Sequence, residues 1–247
     1  MRIKTVIAQL ELAQLLTETP KRIDDIGITS LSYDSRANRP GSLFFCKGNQ
    51  FKPTYLDQAV ENGAVCYVSE EEYEVVIPGI IVSDIRRAMA VIADTFYDHP
   101  YRSFYTVGIT GTKGKTTTAT FLKAIMDAWA EREHQQSSGL ISSTRVVTGQ
   151  RDESAVLTTP EALPLYHYLN EAKQSSLPFV TMEVSSQALK YHRTDGIAFN
   201  AVAFLNISED HISPIEHPTF EDYLASKLRI FQISKNAVVN LDADEAD

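Results

Sequence analysis

Cysteine is scarce in this sequence of 247 residues. Cys46 and Cys66 are the only two, they form no CxxC pair, and no Cys/His cluster has the spacing of a zinc site. The sequence therefore predicts neither a disulfide framework nor a structural metal. Two reduced thiols are what a cytoplasmic protein would carry, and we expect that location.

Positive charge is in deficit, and long apolar runs are missing. The chain has 23 Lys and Arg against 32 Asp and Glu, a formal net charge of -9, which argues against nonspecific binding to nucleic acid or to an anionic membrane. Gln9, Glu11 and Gln14 interrupt the apolar stretch at the N-terminus, and no run approaches the roughly 20 apolar residues of a membrane span. We expect neither a nucleic-acid nor a membrane partner, and any anionic ligand needs a local site.

Short apolar runs between polar turns indicate two α/β domains, at residues 1–103 and 104–247, with a linker at 100–103. The segments PTYLDQAVENG and IRRAMAVIADTFYDHP have the spacing of amphipathic helices. In the second domain FYTVGIT, FVTMEV, AVAFLNI and NAVVNL predict about four strands, parallel with crossover connections. Because such a sheet usually carries more strands, we expect the sequence to be a fragment of a longer protein.

A glycine-rich segment, GITGTKGKTTT at residues 108–118, separates the first of these strands from a helix. In that context backbone N–H groups and a helix N-terminus hold phosphates. The strict GxxxxGK[ST] pattern is not met, because position 109 is Ile and glycine stands at 108 and 111. We predict that Lys115 contacts the β- and γ-phosphates of ATP and that Thr116 gives its hydroxyl to Mg²⁺. The predicted nucleotide-binding residues of this loop are Gly111, Thr112, Lys113, Gly114, Lys115, Thr116 and Thr117.

The variant GxTGTxGKT resembles the Mur ligases and the related folylpolyglutamate synthetases. Further stretches resemble the Mur ligase family in the same order, and the similarity is to MurE-type enzymes over nearly the whole chain: SYDSR at 32–36 with GSLFFCKG, TTP at 158–160, MEVSSQAL at 182–189, and EHPTFEDYLASK at 216–227. The resemblance implies a small α/β N-terminal domain that binds the uridine part of the substrate, with Ser35 and Arg36 at the uridine diphosphate. Without the family, Asp34-Ser35-Arg36 is an ordinary polar turn. The second domain is then a mostly parallel P-loop ATPase domain.

A carboxylate ends the buried strand FVTMEV, downstream of the phosphate loop. Glu183 is thereby placed to ligate Mg²⁺, the alternative being a strand-end glutamate that faces solvent. The resemblance implies that Thr158 and Thr159 hold the pyrophosphate or muramoyl-peptide end of the substrate. It also implies that Ser185 and Arg193 hold the muramoyl dipeptide, Arg193 by a bidentate contact with a carboxylate.

Three residues near the end of the chain complete the implied site. Asn206 and His211 are expected near the nucleotide and a second metal. The common family pattern DHLDYH is replaced by DHISPIEH, which leaves the role of His217 undecided. Lys227 matches the lysine that the family carbamoylates with CO₂, a change that turns a cation into an anionic Mg²⁺ ligand. Outside the family it is an ordinary helix-surface lysine. The predicted catalytic residues are Lys115, Glu183, His211 and Lys227, and the predicted metal ligands are Thr116, Glu183, His211 and Lys227.

The implied activity is that of an ATP-dependent amide ligase. It would join the third amino acid to UDP-MurNAc-L-Ala-D-Glu through an acyl phosphate, in peptidoglycan synthesis. Gln187, where most MurE enzymes have His, and the DHISPIEH segment resemble the lysine-adding branch, with meso-diaminopimelate as the alternative amino acid. L-Lysine would bind to a C-terminal domain that this sequence does not contain, so we expect the chain alone to be an inactive fragment. We also expect a monomer. A folylpolyglutamate synthetase and a non-catalytic nucleotide- or precursor-binding module are the other interpretations.

Overall fold

A computed structural model describes residues 1–18, 25–48, 50–210 and 212–243. The chain divides into two compact units, Met1–Asp98 and His99–Asp247. The sequence predicted a boundary after residue 103, which is five residues beyond the boundary after Asp98 in the structure. The segment interpreted as a linker instead forms a 3-10 helix, Pro100–Ser103, in the second unit, where Pro100 and Tyr101 are buried.

The first unit is built on a five-stranded sheet of order β1-β5-β4-β3-β2, in which β1 is antiparallel to β5 and the other pairs are parallel. Its elements in chain order are α1 Ile3–Leu12, β1 Leu16–Glu18, β2 Ser30–Ser32, β3 Ser42–Phe45, α2 Pro53–Glu61, β4 Ala64–Ser69, β5 Gly79–Val82 and α3 Ile85–Phe96. Helices α2 and α3 confirm the two amphipathic patterns. In α3 the Asp84 side chain accepts the N–H groups of Arg86 and Arg87, while Met89 and Ile92 are buried.

The second unit contains a seven-stranded sheet of order β12-β11-β6-β10-β7-β8-β9. Its elements in chain order are β6 Tyr105–Thr110, α4 Lys115–Arg132, β7 Gly139–Ile141, β8 Arg145–Val147, β9 Asp152–Ser154, α5 Ala162–Gln174, β10 Phe179–Glu183, α6 Ser186–Lys190, β11 Ala201–Phe204, α7 Phe220–Leu228, a 3-10 helix Arg229–Ile233 and β12 Ala237–Val239. The pairs among β12, β11, β6, β10 and β7 are parallel, and β8 and β9 add antiparallel strands. The α/β class and the mostly parallel second sheet are confirmed.

The expectation of about four strands in the second unit is wrong. All four predicted strands exist, as β6, β10, β11 and β12, and the described residues add β7, β8 and β9. Each missed strand is three residues long, and β9 is fully exposed. Strand β7 is Gly-Leu-Ile and β8 is Arg-Val-Val, so each has only two adjacent apolar residues, and β9 is polar. Runs this short do not identify a strand from the sequence pattern.

Parallel pairing brings the loops of the second unit together. Strand β6 lies between β10 and β11, with Glu183 opposite Ile109 and Phe204 opposite Thr110. Because the carboxyl ends of parallel strands lie at one edge, the segments that follow Thr110, Glu183 and Phe204 are neighbours. Ligands bind at this edge in open α/β sheets.

No helix in the described residues is both long and apolar enough to cross a membrane.

Candidate active site at the carboxyl edge of the second sheet

The phosphate-binding loop runs from the end of β6 to the start of α4. Gly111 and Gly114 have φ angles of 153° and 83°, in a region that favours glycine. A Cβ at Gly111 would also lie 3.0 Å from the Cβ of Leu205. Gly114 is the N-cap of α4, and no side chain of a described residue caps this helix, so its first-turn N–H groups can bind an anion. Thr117, another predicted residue of the loop, is exposed in this first turn.

Asn206, after β11, holds this loop in shape. Its side-chain Oδ1 accepts the N–H groups of Thr112 at 3.1 Å and Lys113 at 3.0 Å, and its Nδ2 donates to the Lys113 carbonyl at 3.2 Å. Two further contacts fasten the loop: Lys113 pairs with Asp210 at 2.7 Å, and the Thr112 and Tyr223 hydroxyls are 3.0 Å apart. Asn206 therefore acts on the loop backbone in the structure, whereas its contact with the nucleotide stays a prediction.

Two lysines meet at the loop. Lys115 Nζ donates to the carbonyl oxygens of Gly111 and Thr112, at 2.8 and 3.0 Å, and Lys227 Nζ also donates to Gly111 O at 2.8 Å. Lys227 is only 1% exposed and lies over the Tyr223 ring, 4.8 Å from its centroid. It forms no ion pair with a carboxylate among the described residues. The expectation of an ordinary surface lysine, drawn from the residues without the family, is thus wrong.

Burial lowers the pKa of both amines. Desolvation, together with the charge of Lys115, lowers the pKa of Lys227 to about 7. Desolvation and the neighbouring Lys113 also lower the pKa of Lys115, against the opposing effect of Glu183. Lys227 therefore loses its proton at lower pH than an exposed lysine does.

Glu183 is buried at the end of β10, at 1% exposure, and does not face open solvent. Its Oε2 accepts the Thr116 hydroxyl at 3.1 Å, and its Oε1 accepts the N–H and hydroxyl of Ser143 at 3.0 and 3.2 Å. The Thr116 and Ser143 hydroxyls are 2.8 Å apart. A carboxylate with two hydroxyls is a hard oxygen set of the kind that Mg²⁺ prefers. The sequence analysis did not identify Ser143, because this residue lies in a loop after strand β7, which was also not predicted.

A cavity of about 240 Å³ opens beside the loop. It brings together six of the predicted residues: Lys115, Thr158, Thr159, Ser185, Arg193 and Lys227. Ser186, Gln187, Glu216 and Tyr223 are also part of its wall. Lys115 and Arg193, joined by Lys227 when it is protonated, face one carboxylate, that of Glu216, and favour an anionic occupant.

Thr159, Ser185 and Arg193 form one connected corner of the cavity. The Thr159 hydroxyl donates to Glu183 O at 2.9 Å and accepts the Ser185 N–H at 3.0 Å. Arg193 donates to Thr159 O at 3.0 Å and pairs with Glu161 at 2.6 Å, a partner that the sequence did not indicate. Its buried Nε–H has no hydrogen-bond partner among the described residues.

Ser35 and Arg36 belong to the first unit, and the residues of the cavity belong to the second. Ser35 is buried and donates to Gln58 Oε1 at 2.6 Å. Arg36 is exposed and pairs with Asp34 through two contacts of 3.0 and 2.8 Å. Their uridine diphosphate contacts stay predictions. His211 lies outside the described residues.

Comparison with known proteins agrees with this geometry. The model of the Mur ligase middle domain matches residues 109–247. The chain is 47% identical over 219 residues to the UDP-N-acetylmuramoyl-L-alanyl-D-glutamate--L-lysine ligase of Enterococcus faecalis, covering 88% of this chain and 42% of that protein. It is 42% identical over 236 residues to the UDP-N-acetylmuramyl-tripeptide synthetase of Bifidobacterium longum, covering 94% and 45%.

A solved UDP-N-acetylmuramoyl-L-alanyl-D-glutamate--2,6-diaminopimelate ligase superimposes with a TM-score of 0.75 at 26% identity, over 93% of this chain and 46% of that one. The chain spans less than half the length of these curated relatives. The loop, the buried Glu183 and the family match together identify the chain as a member of the Mur ligase family.

Proposed function

We propose that the chain supplies the precursor-binding and ATP-binding parts of an ATP-dependent amide ligase. The enzyme adds the third amino acid, L-lysine, to UDP-MurNAc-L-Ala-D-Glu in the cytoplasm. The observation that carries the proposal is the cavity in which Lys115, Lys227 and Arg193 converge beside a phosphate-binding loop. Support comes from relatives whose names specify that precursor and lysine.

The described residues fit ATP and Mg²⁺. The free N–H groups at the start of α4 and the ammonium of Lys115 suit the phosphates. Thr116 and Glu183 would hold Mg²⁺, with Lys227 as a further ligand once it is carbamoylated. When bound, ATP supplies the phosphoryl group and Mg²⁺ offsets its negative charge. His211 stays a predicted ligand.

The protein residues have a positioning task in this reaction. The D-Glu carboxylate attacks the γ-phosphate to give an acyl phosphate and ADP, and the lysine amine then displaces phosphate to form the amide. Arg193 and Lys115 hold two anions that would otherwise repel each other. Ser185 and Thr159 order the wall between them. This scheme needs no nucleophilic side chain.

Lys227 is the residue that we propose to be carbamoylated. Only a neutral amine attacks CO₂; the new N–C bond forms as a proton leaves, and an anion replaces a cation. The buried amine with a pKa of about 7 meets this requirement, whereas surface lysines stay protonated near neutral pH. The change also removes the repulsion between Lys227 and Lys115, whose ammonium groups share one carbonyl oxygen.

The remaining assignments follow from the family resemblance. The first unit binds the uridine end of the precursor through Ser35 and Arg36, and the second unit binds ATP. Lysine binds to a C-terminal domain. Gln187 and the DHISPIEH segment favour lysine over meso-diaminopimelate as the added amino acid. The proposed oligomeric state is a monomer.

Titration calorimetry of the chain tests the proposal with three ligands: UDP-MurNAc-L-Ala-D-Glu, UDP-MurNAc-L-Ala and a folate. We expect selective binding of the dipeptide precursor. Binding of folate alone would indicate a folylpolyglutamate synthetase, and binding of neither muramoyl precursor would refute the precursor assignment. In full-length protein, ADP release should require both dipeptide precursor and lysine. Full-length protein that binds both ligands without turnover would be a non-catalytic binding module.

A further inference from the structure

His217 lies at the centre of a buried hydrogen-bonded chain that the proposed reaction does not use. Its ring is fully buried, at 0% exposure. Nδ1 is 2.6 Å from Asp222 Oδ2 on α7, and Nε2 is 3.0 Å from the Ser186 hydroxyl at the start of α6. The edge of the imidazole contacts the Tyr223 ring, with centroids 5.1 Å apart.

Asp222 determines which atoms donate and which accept in this series of hydrogen bonds. Lys190 Nζ donates to the same Asp222 oxygen at 2.6 Å and to the carbonyl of Glu216 at 3.0 Å. The ammonium of Lys190 holds the pKa of the Asp222 carboxyl below its usual value, with a smaller contribution from His217. Asp222 is therefore an ionised acceptor, and the hydrogen between it and His217 belongs to Nδ1.

His217 determines whether the Ser186 hydroxyl donates or accepts in their shared hydrogen bond. With the ring proton of His217 on Nδ1 alone, Nε2 accepts, and the Ser186 hydroxyl 3.0 Å away is then the donor. Ser186 is 5% exposed and forms part of the cavity wall. With its proton engaged, its oxygen offers only lone pairs to a ligand. The cavity thus combines the cations Lys115 and Arg193 with an oriented neutral acceptor.

This combination selects a neutral donor. Lys115 and Arg193 repel an ammonium group, and a carboxylate cannot donate to Ser186. A sugar hydroxyl can also donate to this oxygen, but it can equally turn to accept from another group. An amide N–H can only donate and carries no charge.

We propose that Ser186 is a specificity-determining residue that accepts a hydrogen bond from a peptide N–H of the bound precursor, with His217 and Asp222 as positioning residues that hold its hydroxyl in the accepting orientation. The proposal rests on the proposed function, in which the occupant is a muramoyl dipeptide. It explains a buried His217 whose place in the sequence pattern suggested no role.

Ester analogues test this contact. The ligands are UDP-MurNAc-L-Ala-D-Glu and two depsipeptide forms, each with one of its two peptide N–H groups replaced by oxygen, titrated calorimetrically into the intact chain. We expect one ester to bind about five- to tenfold more weakly than the amide, the range for one neutral hydrogen bond. Ser186→Ala should weaken amide binding by that factor and abolish the discrimination, and His217→Ala should also reduce it.

Gln187→Ala is the matched control, because Gln187 is the next residue on α6 and also contributes to the cavity wall. It should preserve the amide-to-ester ratio, and thermal unfolding should show that each variant folds. Equal binding of amide and esters to the parent chain, or an unchanged ratio in Ser186→Ala, would overturn the inference while leaving the proposed function intact. No binding of the dipeptide precursor at all would remove both. Covalent labelling of Ser186 by a fluorophosphonate would make it a nucleophile and would also overturn the inference.

Discussion

Lys115 and Lys227 donate to the same oxygen atom, the carbonyl oxygen of Gly111, each at 2.8 Å. Lys115 is the first residue of α4, and Lys227 lies in the last turn of α7. Both amines donate to the same loop carbonyl. Two ammonium groups this close repel each other, and burial removes the water that would screen them. An anionic ligand, loss of a proton from Lys227 or carbamoylation of Lys227 would each reduce this repulsion.

Carbamoylation of Lys227 should depend on pH near neutrality. With ¹³C-labelled CO₂ at constant dissolved concentration, we expect one carbamate signal by NMR that grows between pH 6 and pH 8, because the pKa of Lys227 is about 7 and deprotonation must precede attack. Lys227→Met should lose this signal, whereas signals from surface lysines should grow only at higher pH. A signal that persists in Lys227→Met would contradict the assignment.

Lys115→Met should shift that pH profile upward. The positive charge of Lys115 is one cause of the lowered pKa of Lys227, so its removal raises that pKa and delays deprotonation. The same variant should lose stabilisation by ATP in thermal unfolding while UDP-precursor binding persists. Lys123→Met is the control, because Lys123 lies on the same helix but pairs with Asp127. An unshifted profile in Lys115→Met would show that the two amines are not coupled.

Ser143→Ala should raise the Mg²⁺ concentration needed for half-maximal ATP binding by about tenfold, the scale for losing a residue that orients a metal ligand. The variant loses the hydroxyl contacts with Glu183 and Thr116 but keeps the backbone N–H contact. Metal-free nucleotide binding should not change. Titration of Mg²⁺ into protein and ATP measures the effect, with exposed Ser154 on β9 as the Ser→Ala control. An equal Mg²⁺ requirement would exclude this role for Ser143.

Asn206 offers a way to separate loop stability from ligand binding. Asn206→Ala leaves the N–H groups of Thr112 and Lys113 without the side-chain acceptor, so both the melting temperature and ATP affinity should fall. Asn206→Asp keeps an acceptor but places a negative charge beside the phosphate site. We expect it to retain more thermal stability than Asn206→Ala and still to bind ATP at least about tenfold more weakly than the parent, since like charges repel. Parent-like ATP affinity in both would rule out a role of Asn206 in shaping the loop.

Glu171 should stabilise the second unit without a role in ligand binding. It is buried on α5 and accepts Arg151 through contacts of 2.6 and 2.5 Å and the Thr148 hydroxyl at 2.7 Å. Glu171→Ala leaves these donors unpaired and should lower the unfolding free energy by about 2 kcal/mol. Urea unfolding followed by fluorescence of Trp129, the only tryptophan, reports on this unit. Glu133→Ala, at an exposed pair with Arg132, should change it by less than about 1 kcal/mol.

The sequence identified the parts of the site that are contiguous or follow a strong strand. The phosphate loop is one unbroken motif between a strand and a helix, and Glu183 ends an apolar run, so each carries its context in neighbouring residues. Ser143 and Glu161 do not, because each acts on a residue at least 30 positions away. The hydrogen bonds from Asp222 through His217 to Ser186 also join separate loops and helices, so neighbouring residues do not indicate them either.

From the sequence alone came the α/β class, the nucleotide loop, the family resemblance and most of the residues around the cavity. Tertiary structure alone decided that Lys227 is buried rather than on a helix surface, that it shares a carbonyl with Lys115, and that His217 meets both Ser186 and Asp222. Periodicity and motif spacing report only local backbone geometry. Burial and hydrogen-bond partners depend on which distant segments the parallel sheet brings to one edge, and that packing determines the charge state of a side chain and the atoms it contacts.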